Sequence, residues 1–348
     1  MAVVKKEFGK NSKGEQVNLY EITNEAGMKA IVTDFGATLH SLYVPDRDGK
    51  LRDVVWGYET VEGYEIDNGP YFGATVGRIA NRVGGAVVTV NGVDYPMEVN
   101  ERTNCLHSGP NGWHLRIWNT EILDNGVKFS LLSPDGDQGL PGNFDVSVTY
   151  TVTDDNGLKI SYDGVSDQDT YVSLTNHSYF NLNGENSDSI LEHEIWLDAD
   201  GFTRVNEEMI STGEIMDVTG TAMDFRTAKK LGQDIGKEEE ALKIGGGYDH
   251  NWVINAHEAD QPIAKVISEE SGIVMEVFTD YPGIQIYTGN FLGDKTGGKR
   301  GRTYPDRSAV AFETQQFPDA MHLDNFPSAM VKAGEKFHTE TEYRFSVK

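Results

Sequence analysis

The sequence predicts an all-β protein: one large, single-domain antiparallel β-sandwich spanning residues 1–348, with a few short helices. Three observations carry this. Apolar side chains alternate with period two in long runs, turn dipeptides separate those runs, and helical periodicity is scarce. Strand signals recur at intervals of roughly 8–12 residues, the spacing of a sandwich rather than of alternating βα units.

In chain order, Asp48-Gly49 marks a first turn between strands. Asn91-Gly92 lies between AVVTV and VDYPM, and Asn125-Gly126 between TEIL and VKFSLL. Asn-Gly supplies two residues tolerant of positive φ, which a tight hairpin requires. FDVSVTYTV (144–152) places Phe144, Val146, Val148, Tyr150 and Val152 on one face, and Asn156-Gly157 then turns the chain toward Leu158, Ile160 and Tyr162. SLTNHSYFNLNG (173–184) reads as a strand with a face of Ser173, Thr175, His177, Tyr179 and Asn181. Residues 227–243 hold one or two short helices with Leu231, Ile235 and Leu242 inward. Ser271-Gly272 makes another turn. The last twelve residues, FHTETEYRFSVK, alternate without a break, as a half-buried strand does. No period of 20–50 residues indicates a propeller or solenoid.

Bulk properties narrow the function. The 348 residues carry 30 basic and 55 acidic side chains, a formal net charge of -25. Such a surface repels nucleic acid and anionic lipid, so neither is an expected partner. Cys105 is the sole cysteine, so no intrachain disulfide forms, as fits a reducing compartment. No segment approaches the ~20 apolar residues of a membrane span. MAVVKKEFGKNSKGEQ has no apolar run after its lysines, and a cytoplasmic protein is expected. The chain is expected to act as a monomer or homodimer.

Two motifs are set aside. GDKTGGKR (293–300) approaches a phosphate loop, but Arg300 stands where a Ser or Thr must hold magnesium, and Pro305 follows where a helix should begin. It reads as a glycine-rich surface loop. Nine histidines raise the question of a metal, and His107, His177, His250, Asp249 and Glu313 could converge, yet no spaced zinc signature occurs. No metal and no cofactor are expected.

The polar face at 173–181 carries hydroxyls, an amide and an imidazole but no charge. Such a face suits a neutral, hydroxyl-rich ligand, and an imidazole there titrates near neutrality and exchanges protons. In AVAFETQQFPDA (309–320), Glu313 shares a strand face with Ala309 and Ala311, which leave room around it. In GGGYDHNW, Asp249 follows three glycines, where an acid can bond vicinal hydroxyls. GRIANR offers Asn81 and Arg82 as donors, and NCLHSG adds His107.

Together these blocks resemble the aldose 1-epimerases, the galactose mutarotase family. SLTNHSYFNLNG is similar to that family's signature, and YFGATVGRIANR, NCLHSG, GYDHN, PGIQIYTGNFL and FETQQFPDA follow in the family's order. The resemblance implies a galactose mutarotase-like supersandwich and cofactor-independent interconversion of the α and β anomers of free aldohexoses. It implies Glu313 as general base, His177 as general acid, and His107 as a second histidine near the ring oxygen. Asn81, Arg82, Asp249, Gln285 and Tyr179 are then substrate-binding. Rival expectations are a glycoside hydrolase, in which His177 has no necessary task, a non-catalytic carbohydrate-binding sandwich, and a hexose-6-phosphate 1-epimerase.

Overall fold

Each turn dipeptide joins two antiparallel strands. The computed structural model describes residues 2–66 and 69–348. Val87–Val90 and Val93–Pro96 pair with Val90 opposite Val93, so Asn91 (φ 51) and Gly92 (φ 79) form the two-residue loop. Hairpins likewise form around Asp48-Gly49, Asn125-Gly126, Asn156-Gly157 and Ser271-Gly272.

Among the described residues the Asn91-Gly92 hairpin stays a separate two-stranded sheet, and the other four hairpins belong to two of three large sheets. Nine strands form one, in which Lys336–Val347 lies between Gly157–Ser166 and Ile273–Thr279. Six strands form another, in the order Tyr179–Phe180, Val310–Gln315, Gly283–Tyr287, Asp249–Val253, Gly201–Val205 and Ser211–Asp217. Five consecutive strands from Ala2–Lys10 to Leu51–Asp53 make the third. One apolar core draws on all three, with Leu42 and Val32 from the five-stranded sheet, Val148 and Tyr343 from the nine-stranded, and Trp252, Ile284 and Phe312 from the six-stranded.

Period-two alternation does its work most clearly in Val310–Gln315. Val310 and Phe312 enter the main core, while Ala309 and Ala311 pack in a second cluster with Tyr179 and Trp56. Each large apolar side chain so buried contributes ~1.5–3 kcal/mol. The odd-numbered face then carries Glu313 outward from the small alanines.

One expectation changes, and two helical segments are located. Residues 173–184 are not one strand. Thr175–Asn176 pairs with Thr75–Val76, Tyr179–Phe180 pairs with Val310–Gln315, and the ladder breaks at His177 and Ser178. Both parities are buried, so the polar face does not line a cleft as a unit. Asn181 instead donates to the carbonyl of Ser308 at 2.8 Å, a structural bond. In the region 227–243, a 3₁₀ turn covers Leu231–Gln233 and the α-helix covers Glu240–Gly245, with Leu231, Ile235 and Leu242 inward. An unforeseen helix, Val61–Ile66, buries Val61 and Tyr64. No helix among the described residues is long and apolar enough to cross a membrane.

The glycine-rich loop has a structural task. Lys299 is 4% exposed, and its ammonium donates to the carbonyls of His40 (2.9 Å) and Val55 (2.8 Å), Ser41 Oγ (3.1 Å) and Asp53 Oδ2 (2.6 Å). No donor remains for a phosphate, since an ammonium has only three protons for these four acceptors.

Candidate active site

Glu313 sits on the second strand of the six-stranded sheet, and the register sets its neighbours. Gln285 lies opposite Glu313, and Asn251 opposite Gln285. Asp249, two residues from Asn251, falls on the same face, and Gln285 Nε2 donates to its Oδ1 at 2.7 Å. The break after Asn176 brings His177 in from the other side, with Nε2 3.5 Å from Glu313 Oε1. Gly73 donates its N–H to the carbonyl of His177 at 2.9 Å. A Cβ on Gly73 would lie 2.0 Å from the Leu39 carbonyl oxygen, so only glycine fits there.

A cavity of about 430 Å³ opens over this pair, within the ~300–1,000 Å³ span of small-molecule sites. The structure brings Glu313, His177, His107, Asn81, Arg82, Asp249, Gln285 and Tyr179 to its wall. Of the polar face at 173–181, only His177 and Tyr179 reach it. The imidazole of His177 stacks on Tyr179 (ring centroids 5.0 Å apart) and on Tyr71 (5.9 Å).

The backbone fixes the tautomer of His107. Asn81, in the left-handed region (φ 63), donates its N–H to His107 Nδ1 at 3.1 Å. A neutral imidazole that accepts at Nδ1 carries its proton at Nε2. His107 thus presents a donor, suited to a sugar oxygen. The same bond bears on metal binding. His107, His177 and Glu313 place ligand atoms within 4.8 Å of one another. A cation on His107 Nε2 would put a second proton against the Asn81 N–H, so this donor set does not suit a metal. His250 stays outside the group, its Nδ1 accepting the N–H of Asp249 at 3.2 Å.

Charge is closely balanced in the cavity. Burial, and then the charge of Asp249, push Glu313 well above the ordinary carboxylate range, against the pull of Arg82. Burial also raises Asp249, opposed by Arg82 and the Gln285 bond. Burial works against the charge of Arg82, but Asp249, Glu101 and Glu313 together hold it above its usual value. Desolvation depresses both imidazoles: His107 lies well below its ordinary value and His177 falls to about 4. The expectation that His177 titrates near neutrality is therefore corrected. An ionised Glu313 at 3.5 Å favours the imidazolium and partly restores it. At 3.5 Å the charge of each group bears on the protonation of the other.

Sequence reasoning missed several groups at the wall. Tyr71 opens the YFG block, and Glu101 lies just ahead of NCLHSG, where it binds Arg82. Lys295 and Phe291 come from the segment around the glycine-rich loop. No local pattern marked them, because a charged or aromatic side chain in a turn reads as surface until the loop is placed.

Comparison with known proteins places the whole chain. The family model described as Aldose 1-epimerase matches residues 18–344. The chain is 41% identical over 320 residues to a galactose mutarotase of Bos taurus, covering 92% of each protein. It is 35% identical over 336 residues to an aldose 1-epimerase of Escherichia coli, covering 95% of this chain and 96% of that one. A solved structure of an aldose epimerase homologue from C. elegans superposes with a TM-score of 0.88 at 36% identity, covering 95% of this chain and 99% of the other. A galactose 1-epimerase from Lactobacillus acidophilus shares the fold, with a TM-score of 0.86 at 24% identity and 99% of each chain covered. With the fold, the full-length match and a carboxylate facing an imidazole across a sugar-sized cavity, the chain belongs to the aldose 1-epimerase family.

Proposed function

We propose that this isomerase interconverts the α and β anomers of free aldohexoses such as galactose and glucose, with Glu313 as general base and His177 as general acid. The observation that carries the reading is the 3.5 Å approach of His177 Nε2 to Glu313 Oε1 at the floor of a cavity ringed by neutral and balanced polar groups. Glu313 takes the proton of the anomeric hydroxyl while His177 gives one to the ring oxygen. The C1–O5 bond breaks, the hemiacetal becomes an aldehyde, and C1 turns about C1–C2. The same two groups return the protons as the ring closes on the other face. Each positioned transfer supplies ~10²–10⁴-fold in rate.

Burial by itself favours the form with the proton on Glu313. A bound sugar donates its anomeric hydroxyl to the carboxylate and accepts from the imidazole at its ring oxygen, which supports the charge-separated form that reacts. His107 donates through Nε2, and Arg82, Asn81, Asp249, Gln285 and Tyr179 hold the remaining hydroxyls, leaving C1 free to turn.

A phosphorylated hexose fits less well. Arg82 is held by Glu101, and Arg102 Nη1 donates to the carbonyl of Glu207 at 2.6 Å. We also read residues 1–348 as one domain, active as a monomer or homodimer in the cytoplasm. The shared core supports the single domain, and a site lined from one chain lets a monomer act alone.

The test is polarimetry on freshly dissolved α-D-galactose in buffer with a chelator. The expected result is a faster approach to the same final rotation, with no reducing sugar released from a galactoside. Sugar binding without acceleration would overturn the reading.

A further inference from the structure

We propose that Glu101 is a positioning residue for the anomerisation: it clamps Arg82 side-on, fixing the guanidinium against the sugar and balancing its charge beside Glu313. The proposal rests on Glu313 acting as the base.

The clamp is bidentate. Arg82 Nε donates to Glu101 Oε2 at 2.6 Å and Nη2 to Oε1 at 2.9 Å, the fork geometry that gives Arg–carboxylate pairs their directional strength. Nη1 stays outside the clamp. The pair is largely sheltered, with side chains 12% and 29% exposed, so solvent screens it less than a surface ion pair. Glu101 itself is held in place by its turn. Its N–H donates to the Asn104 carbonyl at 3.3 Å and its carbonyl accepts from Asn104 at 2.8 Å. Asn100 fastens the same turn through two bonds to the Leu106 backbone, of 2.7 and 2.9 Å, and Asn104 Oδ1 accepts from Gly85 at 3.0 Å.

The consequence is electrostatic. Arg82 stands between one carboxylate it is bonded to and two, Asp249 and Glu313, whose charged forms it favours. Neutralising Glu101 removes the carboxylate bonded to Arg82 and leaves Asp249 and Glu313 to balance it, so its pull on ionised Glu313 is stronger. Glu313 then binds its proton less tightly and is a weaker base. The other groups facing Glu313 are Asp249, whose carboxyl the charge of Glu101 also raises, His177 and Tyr179 from the broken segment, His107 from its loop, and Tyr343 from the strand behind. Removing the charge of Glu101 frees Arg82 and also lowers Asp249, and both changes move Glu313 in the same direction, downward.

The experiment compares the parent with Glu101→Gln and Glu101→Asp by two readouts. One is the infrared band of the protonated Glu313 carboxyl, identified by its loss in Glu313→Gln. The other is the pH profile of galactose turnover. In Glu101→Gln the band should titrate about one pH unit lower, with the turnover profile moving the same way and kcat falling about tenfold. Glu101→Asp, reaching Arg82 with one oxygen, should shift about half as far, and it carries the test alone should Glu101→Gln fail to fold. An unmoved titration with only KM raised would overturn the proposal, since Glu101 would then merely hold Arg82 for binding. A moved band in a parent protein without galactose turnover would remove the base role while leaving the Glu101–Arg82–Glu313 coupling in place.

Discussion

Glu313 holds its carboxylate 2% exposed, with Oε2 unbonded and Asp249 nearby. A carboxyl kept well above its ordinary range binds its proton more tightly folded than unfolded. Stability is therefore lost as pH rises from the unfolded value of about 4.5 toward the folded one. Glu313→Gln removes that loss. It should raise unfolding free energy at pH 8 by about 1–3 kcal/mol, the cost of an unsatisfied buried polar group, and the gain should vanish near pH 4.5. Thermal unfolding at the two pH values measures this, and equal stability of both proteins at pH 8 would contradict it. Residues whose chemistry is rare on a surface were legible in the sequence: His177 on an uncharged stretch, Glu313 beside two alanines, Asp249 after three glycines. Glu101 and Tyr71 were not, because a glutamate in a polar turn and a tyrosine after a proline look the same whether they face solvent or a cavity.

At the level of elements, Asn-Gly hairpins were readable because the turn chemistry is local. The break at His177 was not, since its cause lies in distant backbone. The N–H of His177 donates to the Ala74 carbonyl at 2.9 Å, and its carbonyl accepts from Gly73. The glycine-rich loop shows the same limit. Its sequence excluded a phosphate site, but only the fold shows that it buries Lys299 against Asp53, with side chains 5% and 1% exposed. Removing one partner of such a pair strands the other charge. Lys299→Met should cost about 3–5 kcal/mol in chemical denaturation. A loss under about 1 kcal/mol, as from a surface pair, would show that Asp53 finds another partner.

For the whole molecule, alternation gave the all-β class and the inward face of long strands such as Phe144–Val152, but not the order of strands in a sheet. Tyr179–Phe180 pairs with Val310–Gln315, and Gly157–Ser166 with Lys336–Val347, across long stretches of chain that carry no local signal of the pairing. The first of these pairings sets Tyr179 and Glu313 on neighbouring strands at the wall of the cavity. The most direct measurement is the galactose mutarotation rate of the parent, Glu313→Gln and His177→Asn at saturating sugar, with galactose affinity measured on the same samples. Both variants should lose ~10²–10⁴-fold in kcat while still binding galactose. Near-parental kcat in either variant, or a change confined to affinity, would contradict proton exchange between Glu313, His177 and the sugar.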